Sequence, residues 1–444
     1  MNENLWINSL IDAKPLTNHV AVREAKKGIQ DYLASSFFAV KNPNVLALNN
    51  EQAIVYGQTE TSKRFNLETS HQALVYGFAA HYEDLDDTQS NLRGHPSAVI
   101  LSALLAVAKP HDAGEKFLDA YISGIEIAGR LGQVFNPTIY NKGWHSTGFI
   151  GIFGATAALI KYLNIDASIA NQAFSLAASQ ASGYRFQFGS DAKPLQAGIA
   201  AKHAIDAVDW ALKGMTGSAN YLSGKNGLVH MFDLDENKLQ SVLSAPWTES
   251  LEIVSPGLWF KAYPFCSAAF RLADASLEIH EKQAIQLDDI ESIDISFNPG
   301  RDAALIYTNP VNGLQGKFSG EYVTLLGLTK GTFDPKDFTD ASLDDEVLAN
   351  LDKVKRVYYP ETEKGLSSQI YVKLKDKTTF HAEVFDPYGS PNNPLSNADI
   401  KDKLANGLGN EKQANVIAQT IENLEKNTLK EFLQAINRNE NGGK

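Results

Sequence analysis

Between residues 20 and 214 the chain keeps a helical period. Apolar residues recur at three- and four-residue steps in "VAVREAKKGIQDYLASSFFAV", "SHQALVYGFAAHYEDL", "SAVILSALLAVA" and "EKFLDAYISGIEIAGRLG". Several of these segments are rich in alanine and glycine and apolar nearly all round. A helix of that kind has no face for water, so a large helical domain with a buried central layer is expected. The longest apolar runs, "AVILSALLAVA" and "GFIGIFGATAALI", fall short of the roughly 18 to 20 residues that span a bilayer, which places them inside a protein core.

After about residue 261 the texture changes. "IESIDISF", "VKRVYYPE" and "SQIYVKLKDKTTFHAEVF" alternate as strands do, and "KDKT" suits a hairpin connection. Helical pieces, "CSAAFRLADASLEIHEK" and "GEYVTLLGLTKG", lie between them, giving a smaller α+β domain. The turn-rich "DPYGSPNNPLS" closes it, and Ser396 caps a return to helical pattern in "NADIKDKLANGL" and "EKQANVIAQTIENLEKNTLKEFLQAI". The expected chain is therefore mainly α: residues 1–260 and 393–444 form a helical domain, with the last helices packed back on the first, and residues 261–392 form the α+β domain. The tail "NRNENGGK" is expected to fray.

Charge narrows the function. Lys and Arg number 40 against 52 Asp and Glu, a formal −12 spread along the chain, which disfavours nucleic acid and anionic membrane as partners. A pocket can still concentrate cations for a small anion. The single cysteine, Cys266, excludes an intrachain disulfide and a CxxC zinc site and fits a reducing compartment. The opening "MNENLWINSLIDAKP" has neither the positive charge nor the apolar core of a signal peptide, so a soluble, cytoplasmic protein is expected.

The densest chemistry is in "HYEDLDDTQSNLRGHPSAVI". If the helix beginning near Ser70 runs on to Thr88, then His81, Asp84 and Thr88 share one face, beside an apolar stripe of Leu74, Phe78, Tyr82 and Leu85, and His95 follows seven residues on. A solvated helix end is the plain alternative. "DLDDT" also matches the DxDxT motif of haloacid-dehalogenase-type phosphatases, but that motif needs a buried strand before it and "AAHYE" continues a helix. His81 and Asp84 make half a metal site at most, and no HExxH-like pattern completes it; no metal is expected.

Further along, His145 precedes a helix capped by Ser146 or Thr147, where the positive helix end favours a neutral imidazole able to act as a base. Gly148, Gly151 and Gly154 at three-residue steps point to close helix packing rather than a nucleotide loop. Lys193 comes just before Pro194, a good first helical residue, and lysine with free backbone N–H groups suits a carboxylate or phosphate. Lys261 stands among Trp259, Phe260 and Tyr263, either snorkelling to solvent or held for an anion. Cys266 opens a helical stretch, where a lowered pKa would make it reactive and burial would leave it inert.

In order along the chain, "HYEDLDDTQ" with "GHPSAV", "GWHSTGFIGIFGATAA", "QASGYRFQFGSDAKPLQAGIAA", "GMTGSANYLSGKNG", "FKAYPFCSAAFRLADA", "GKFSGEYV" and "DPYGSPNNPLS" resemble the MmgE/PrpD family over nearly the whole chain. Activities in that family include 2-methylcitrate dehydration, cis-aconitate decarboxylation and iminodisuccinate epimerisation. The resemblance implies an all-helical domain built from both chain ends, a smaller α+β lid, a homodimer and no cofactor. It implies a lyase on a small di- or tricarboxylate, most like 2-methylcitrate dehydratase, with epimerase or decarboxylase as alternatives and a non-catalytic binding relative as a further one. Its pocket maps onto Asp84, Thr88, His95, His145, Lys193 and Lys261: the histidines as acid and base, Asp84 and Thr88 orienting them or binding a hydroxyl, the lysines holding carboxylates. Arg93 is a possible extra carboxylate contact. Departures fall at Gln196, where "KPLH" reads "KPLQ", and at Cys266, Ser267 and Phe270, where a histidine is common; Gln196 and Cys266 are then expected to touch substrate.

Overall fold

In the first part of the chain the helices that matter to the site are α1 (His19–Ala39), α2 (Leu67–Tyr82), α3 (Pro96–Val107), α4 (Gly114–Phe135), α5 (Gly151–Leu163) and α6 (Ala192–Leu212). The computed structural model describes residues 3–247, 250–283, 285–339, 343–360 and 365–437. All residues of α3 are buried, the fate its all-round apolar sequence requires. α2 and α6 pack at unusually short range because glycine meets glycine: a Cβ on Gly77 would stand 2.6 Å from the Gly198 Cα. That crossing brings the end of α2 beside the start of α6. Ser146–Leu163 is long and apolar enough to pass for a membrane span, contrary to the run-length reading, yet 89% of it is buried within the protein.

The buried apolar residues gather mainly in two clusters. One runs from Trp6 to Phe260 and resumes from Leu395 to Ile436; the other runs from Phe265 to Ala382. Within the second, β3 (Ile290–Phe297), β4 (Val354–Tyr358), β5 (Ser368–Leu374) and β6 (Thr379–Val384) form a sheet ordered β4-β3-β5-β6, parallel only between β3 and β4. The β5–β6 hairpin turns at the "KDKT" stretch, where Leu374 N–H donates to Thr378 O at 2.9 Å. α7 (Phe270–Lys282) covers β5 and β6, and α8 (Gly320–Lys330) packs on α7.

Ser396 and Asp399 make a reciprocal capping box that starts α9 (Asn397–Leu408), followed by α10 (Glu411–Glu422) and α11 (Lys430–Asn437). α9 lies along α1, and Lys26 donates to Glu422 O at 2.6 Å, so the two ends of the chain are joined. The tail beyond residue 437 lies outside the described residues.

Candidate active site

α2 stops at Tyr82 and does not reach Thr88. Glu83 is the last helical-like residue, and Asp84 takes φ +56°, a left-handed conformation that Asp adopts more readily than most side chains. The expected shared helix face therefore does not exist. The physical reason is burial of three carboxylates within four residues, which requires each to point at a different partner. Asp84 meets Lys193 and Lys261, Asp86 meets His81 and His95, and Asp87 accepts from Ser97 in the first turn of α3. Thr88 is reached by another route, as half of a two-residue strand, β1 (Thr88–Gln89), antiparallel to β2 (Leu258–Trp259). That pairing also carries Lys261, two residues past Trp259, to the Asp84 turn.

Asp84 is the centre of the charge arrangement. Its Oδ1 lies 2.6 Å from Lys193 Nζ and 3.0 Å from Lys261 Nζ, and Lys261 also donates to the Asp84 carbonyl at 2.8 Å. Burial works to raise the Asp84 carboxyl, but the ammonium groups overcome it and hold the carboxyl well below its usual range. Its Oδ2 is buried without a partner among the described residues. α6 begins at Ala192, one residue before Lys193, so Lys193 lies inside the first turn; its ammonium faces the rings of Phe188 and Phe318 at 5.7 and 5.2 Å. Lys261 is 1% exposed, so it does not snorkel to solvent; the anion it meets is the Asp84 carboxylate.

Three histidines stand together. The His81 and His95 rings are 4.1 Å apart and His81 and His145 are 6.1 Å apart. Asp86 bridges the first two, 2.8 Å from His81 Nδ1 and 3.2 Å from His95 Nδ1, leaving His95 Nε2 turned toward Asp84 at 3.7 Å. His145 is itself the N-cap residue of Ser146–Phe149. Its Nδ1 is 2.6 Å from Gln196 Oε1, which also accepts from Tyr184 N–H while the Gln196 amide donates to Tyr184 O. The Gln196 oxygen thus requires a proton on His145 Nδ1 and leaves Nε2 as the basic nitrogen. Burial lowers the pKa of all three, His81 to about 3, so each imidazole is neutral at pH 7.

A cavity of about 430 Å³ is lined by Asp84, Thr88, Arg93, His95, His145, Lys193, Lys261 and Cys266. Gln196 does not line it and acts on it through His145. Burial pushes the Cys266 thiol pKa up, and Asp84 adds to this, so the 3-10 turn that follows does not make it a thiolate. Phe270 is 1% exposed in the second core, away from the lining, while Ser267 belongs to it.

Two supports were not legible in the sequence. Lys403 of α9 donates to Asp31 Oδ1 at 2.5 Å, Leu85 O at 2.6 Å and Lys261 O at 3.0 Å, tying down both backbone segments that carry the central ion pair. Glu252, buried, accepts from the side chains of Gln89, Asn91 and Gln133 and so fixes the turn bearing Arg93. Asp86 was in plain view as one carboxylate among several; its bridging role depends on loop geometry.

His81, Asp84, Asp86 and His95 place ligand-type atoms within 4.8 Å of one another. Two ammonium groups already occupy Asp84 Oδ1, however, and a divalent cation beside them would meet strong repulsion in a buried site. The donor set fits a protonic site better than a cation site.

A pocket that sets neutral imidazoles beside lysines paired with one carboxylate has the groups that acid/base chemistry uses. The chain belongs to the MmgE/PrpD family: residues 10–240 match the MmgE/PrpD N-terminal domain and residues 263–426 the MmgE/PrpD C-terminal domain. Among its relatives, cis-aconitate decarboxylase of Mus musculus is 27% identical over 433 residues, 91% of this chain and 84% of that protein. Cis-aconitate decarboxylase of Homo sapiens is 27% identical over 416 residues, 88% and 83% of the two chains. The cis-aconitate decarboxylase-like protein oryM of Aspergillus oryzae is 24% identical over 356 residues, 74% of each.

Proposed function

We propose that the protein is a lyase acting on a small polycarboxylate without a cofactor, with decarboxylation of a cis-aconitate-type acid as its first candidate reaction. The names of the relatives support that choice over 2-methylcitrate dehydration. The observation that carries the reading is the junction of Lys193 and Lys261 on Asp84 beside two neutral, oriented histidines. The Lys193 ammonium keeps protons to offer a substrate carboxylate, and the unpartnered Asp84 Oδ2 can accept from a hydroxyl or a carboxylic acid. Loss of carbon dioxide, or of a proton, next to a carboxylate builds enolate charge, which the lysines stabilise. His95 and His145 then move the proton, and the substrate's own negative charge raises their pKa on binding and loads the acid.

Proton abstraction is the second reading, as in dehydration or epimerisation. It is favoured by His145, whose Nδ1 proton is committed to Gln196 and whose free nitrogen is a ready base. A cytoplasmic homodimer is the working state we infer with either reading. NMR in D₂O, with chelator-treated enzyme and a panel of cis-aconitate, 2-methylcitrate, citrate, malate- and aspartate-type acids, tests it. Release of carbon dioxide, elimination or α-proton exchange, lost in His145→Ala, is expected; silence across the panel would leave a binding protein.

A further inference from the structure

The cavity carries more positive charge than the Asp84 centre uses. On its solvent-facing side it is lined by Arg93, Arg271 and Arg301, interspersed with Ser267, Asn298 and Ser367. Arg301 is exposed, and Arg93 and Arg271 are half-buried. Arg271 commits Nε to Phe385 O at 2.7 Å, which leaves its terminal nitrogens uncommitted, and Arg93 lies over the Tyr140 ring at 5.9 Å. Asp386 and Asp274 are close enough to favour the Arg271 charge, but no ion pair to any of the three arginines is formed among the described residues.

These guanidinium groups feel one another. Burial, and then Arg301, depresses the pKa of Arg93; burial and Arg301 do the same to Arg271 against the pull of Asp386. Arg93 is also held at φ +49°, an uncommon conformation for a side chain of that size, in a turn fixed through Glu252. Like charges gathered at a cavity in an acidic protein cost free energy that a bound anion relieves.

We propose that Arg93, Arg271 and Arg301 form a second anion subsite that binds the substrate carboxylate remote from the reacting carbon, and so selects tricarboxylates over dicarboxylates. The subsite deepens the functional reading above and rests on it. Arg93 comes from the turn after β1, while Arg271 is on α7 and Arg301 follows β3, so the remote carboxylate bridges the two cores. Bidentate guanidinium–carboxylate pairing gives the orientation, with Ser267 and the second Asn298 amide hydrogen left for the remaining acceptor sites, since Ser367 Oγ donates to Glu383 and Asn298 to Tyr359 O.

The test is calorimetric binding of propane-1,2,3-tricarboxylate and of 2-methylsuccinate, which lacks only one terminal carboxylate. Neither has a double bond or a leaving group, so neither turns over. Titrations are run in 0.5 M NaCl to screen long-range attraction. The wild type is expected to prefer the tricarboxylate by about 10-fold or more. Arg301→Gln, at an exposed position, should remove most of that preference and leave 2-methylsuccinate within about 2-fold. Arg271→Gln should act in the same direction. Retained preference in both variants, equal weakening of both ligands, or no preference in the wild type would overturn the subsite. Turnover is scored separately: a silent substrate panel with the binding preference intact rejects the lyase reading and keeps the subsite.

Discussion

Lys193 Nζ stands 2.6 Å from Asp84 Oδ1, joining the first turn of α6 to a residue just past the end of α2 across 109 positions of sequence. Close approach of the two helices at Gly77 and Gly198 makes the contact possible. Lys193→Met is expected to weaken substrate binding by about 10-fold or more and to destabilise the fold. Adding Asp84→Asn should cost further stability and recover none of the affinity, because it strands the buried Lys261 ammonium that Asp84 still neutralises in the single variant. Equal affinity in wild type and Lys193→Met would make the lysine purely structural.

His145→Ala is expected to lower turnover by about 100-fold or more, the size of a general acid/base contribution. Gln196→Leu should produce a smaller loss with a shifted pH–rate profile, since it frees the choice of tautomer without removing the ring. Turnover of His145→Ala within a few-fold of wild type would remove His145 from the reaction.

Protonation of the histidines also shapes stability. His81, His95 and His145 have folded pKa values lowered by burial, so below their ordinary value near 6.5 the unfolded chain binds protons that the folded one refuses. Their contribution is complete above that pH and is lost as pH falls. Asp31 and Asp119, raised to about 6, act the opposite way and gain as pH falls through 6. Comparison with His145→Phe isolates one histidine. Its urea-unfolding free energy should fall less steeply than that of wild type between pH 6.5 and 5, by up to about 1.4 kcal/mol per pH unit; parallel curves would mean that His145 titrates alike in both states.

Lys403→Met should cost about 3 to 5 kcal/mol near pH 7.5, the usual penalty for stranding one charge of a buried pair. The loss should shrink at pH 5, where Asp31, already raised to about 6 by burial, takes up a proton. Because Lys403 also holds Leu85 O and Lys261 O, activity should drop even in the folded fraction. Chemical denaturation at the two pH values with a single-point activity assay decides it.

The local sequence was sufficient wherever a few neighbouring residues set the outcome. Helical period and all-round apolarity marked α3, alternation marked β3 and β5–β6, and Ser396 marked the start of α9. The same evidence extended α2 to Thr88, because periodicity records which residues avoid water and not which partner each buried carboxylate will find. Residues types and motif order brought Asp84, Thr88, His95, His145, Lys193 and Lys261 to attention; that they surround one cavity was decided by packing. Arg93 stood out in the sequence as a carboxylate contact, whereas Lys403, Arg271 and Arg301 had no local signal, since each acts on residues far away in sequence. Charge type and helical pattern belong to the chain itself. Distances between charges exist only once helices from both ends close on one another, and those distances separate a solvated lysine from one held 2.6 Å from a buried carboxylate.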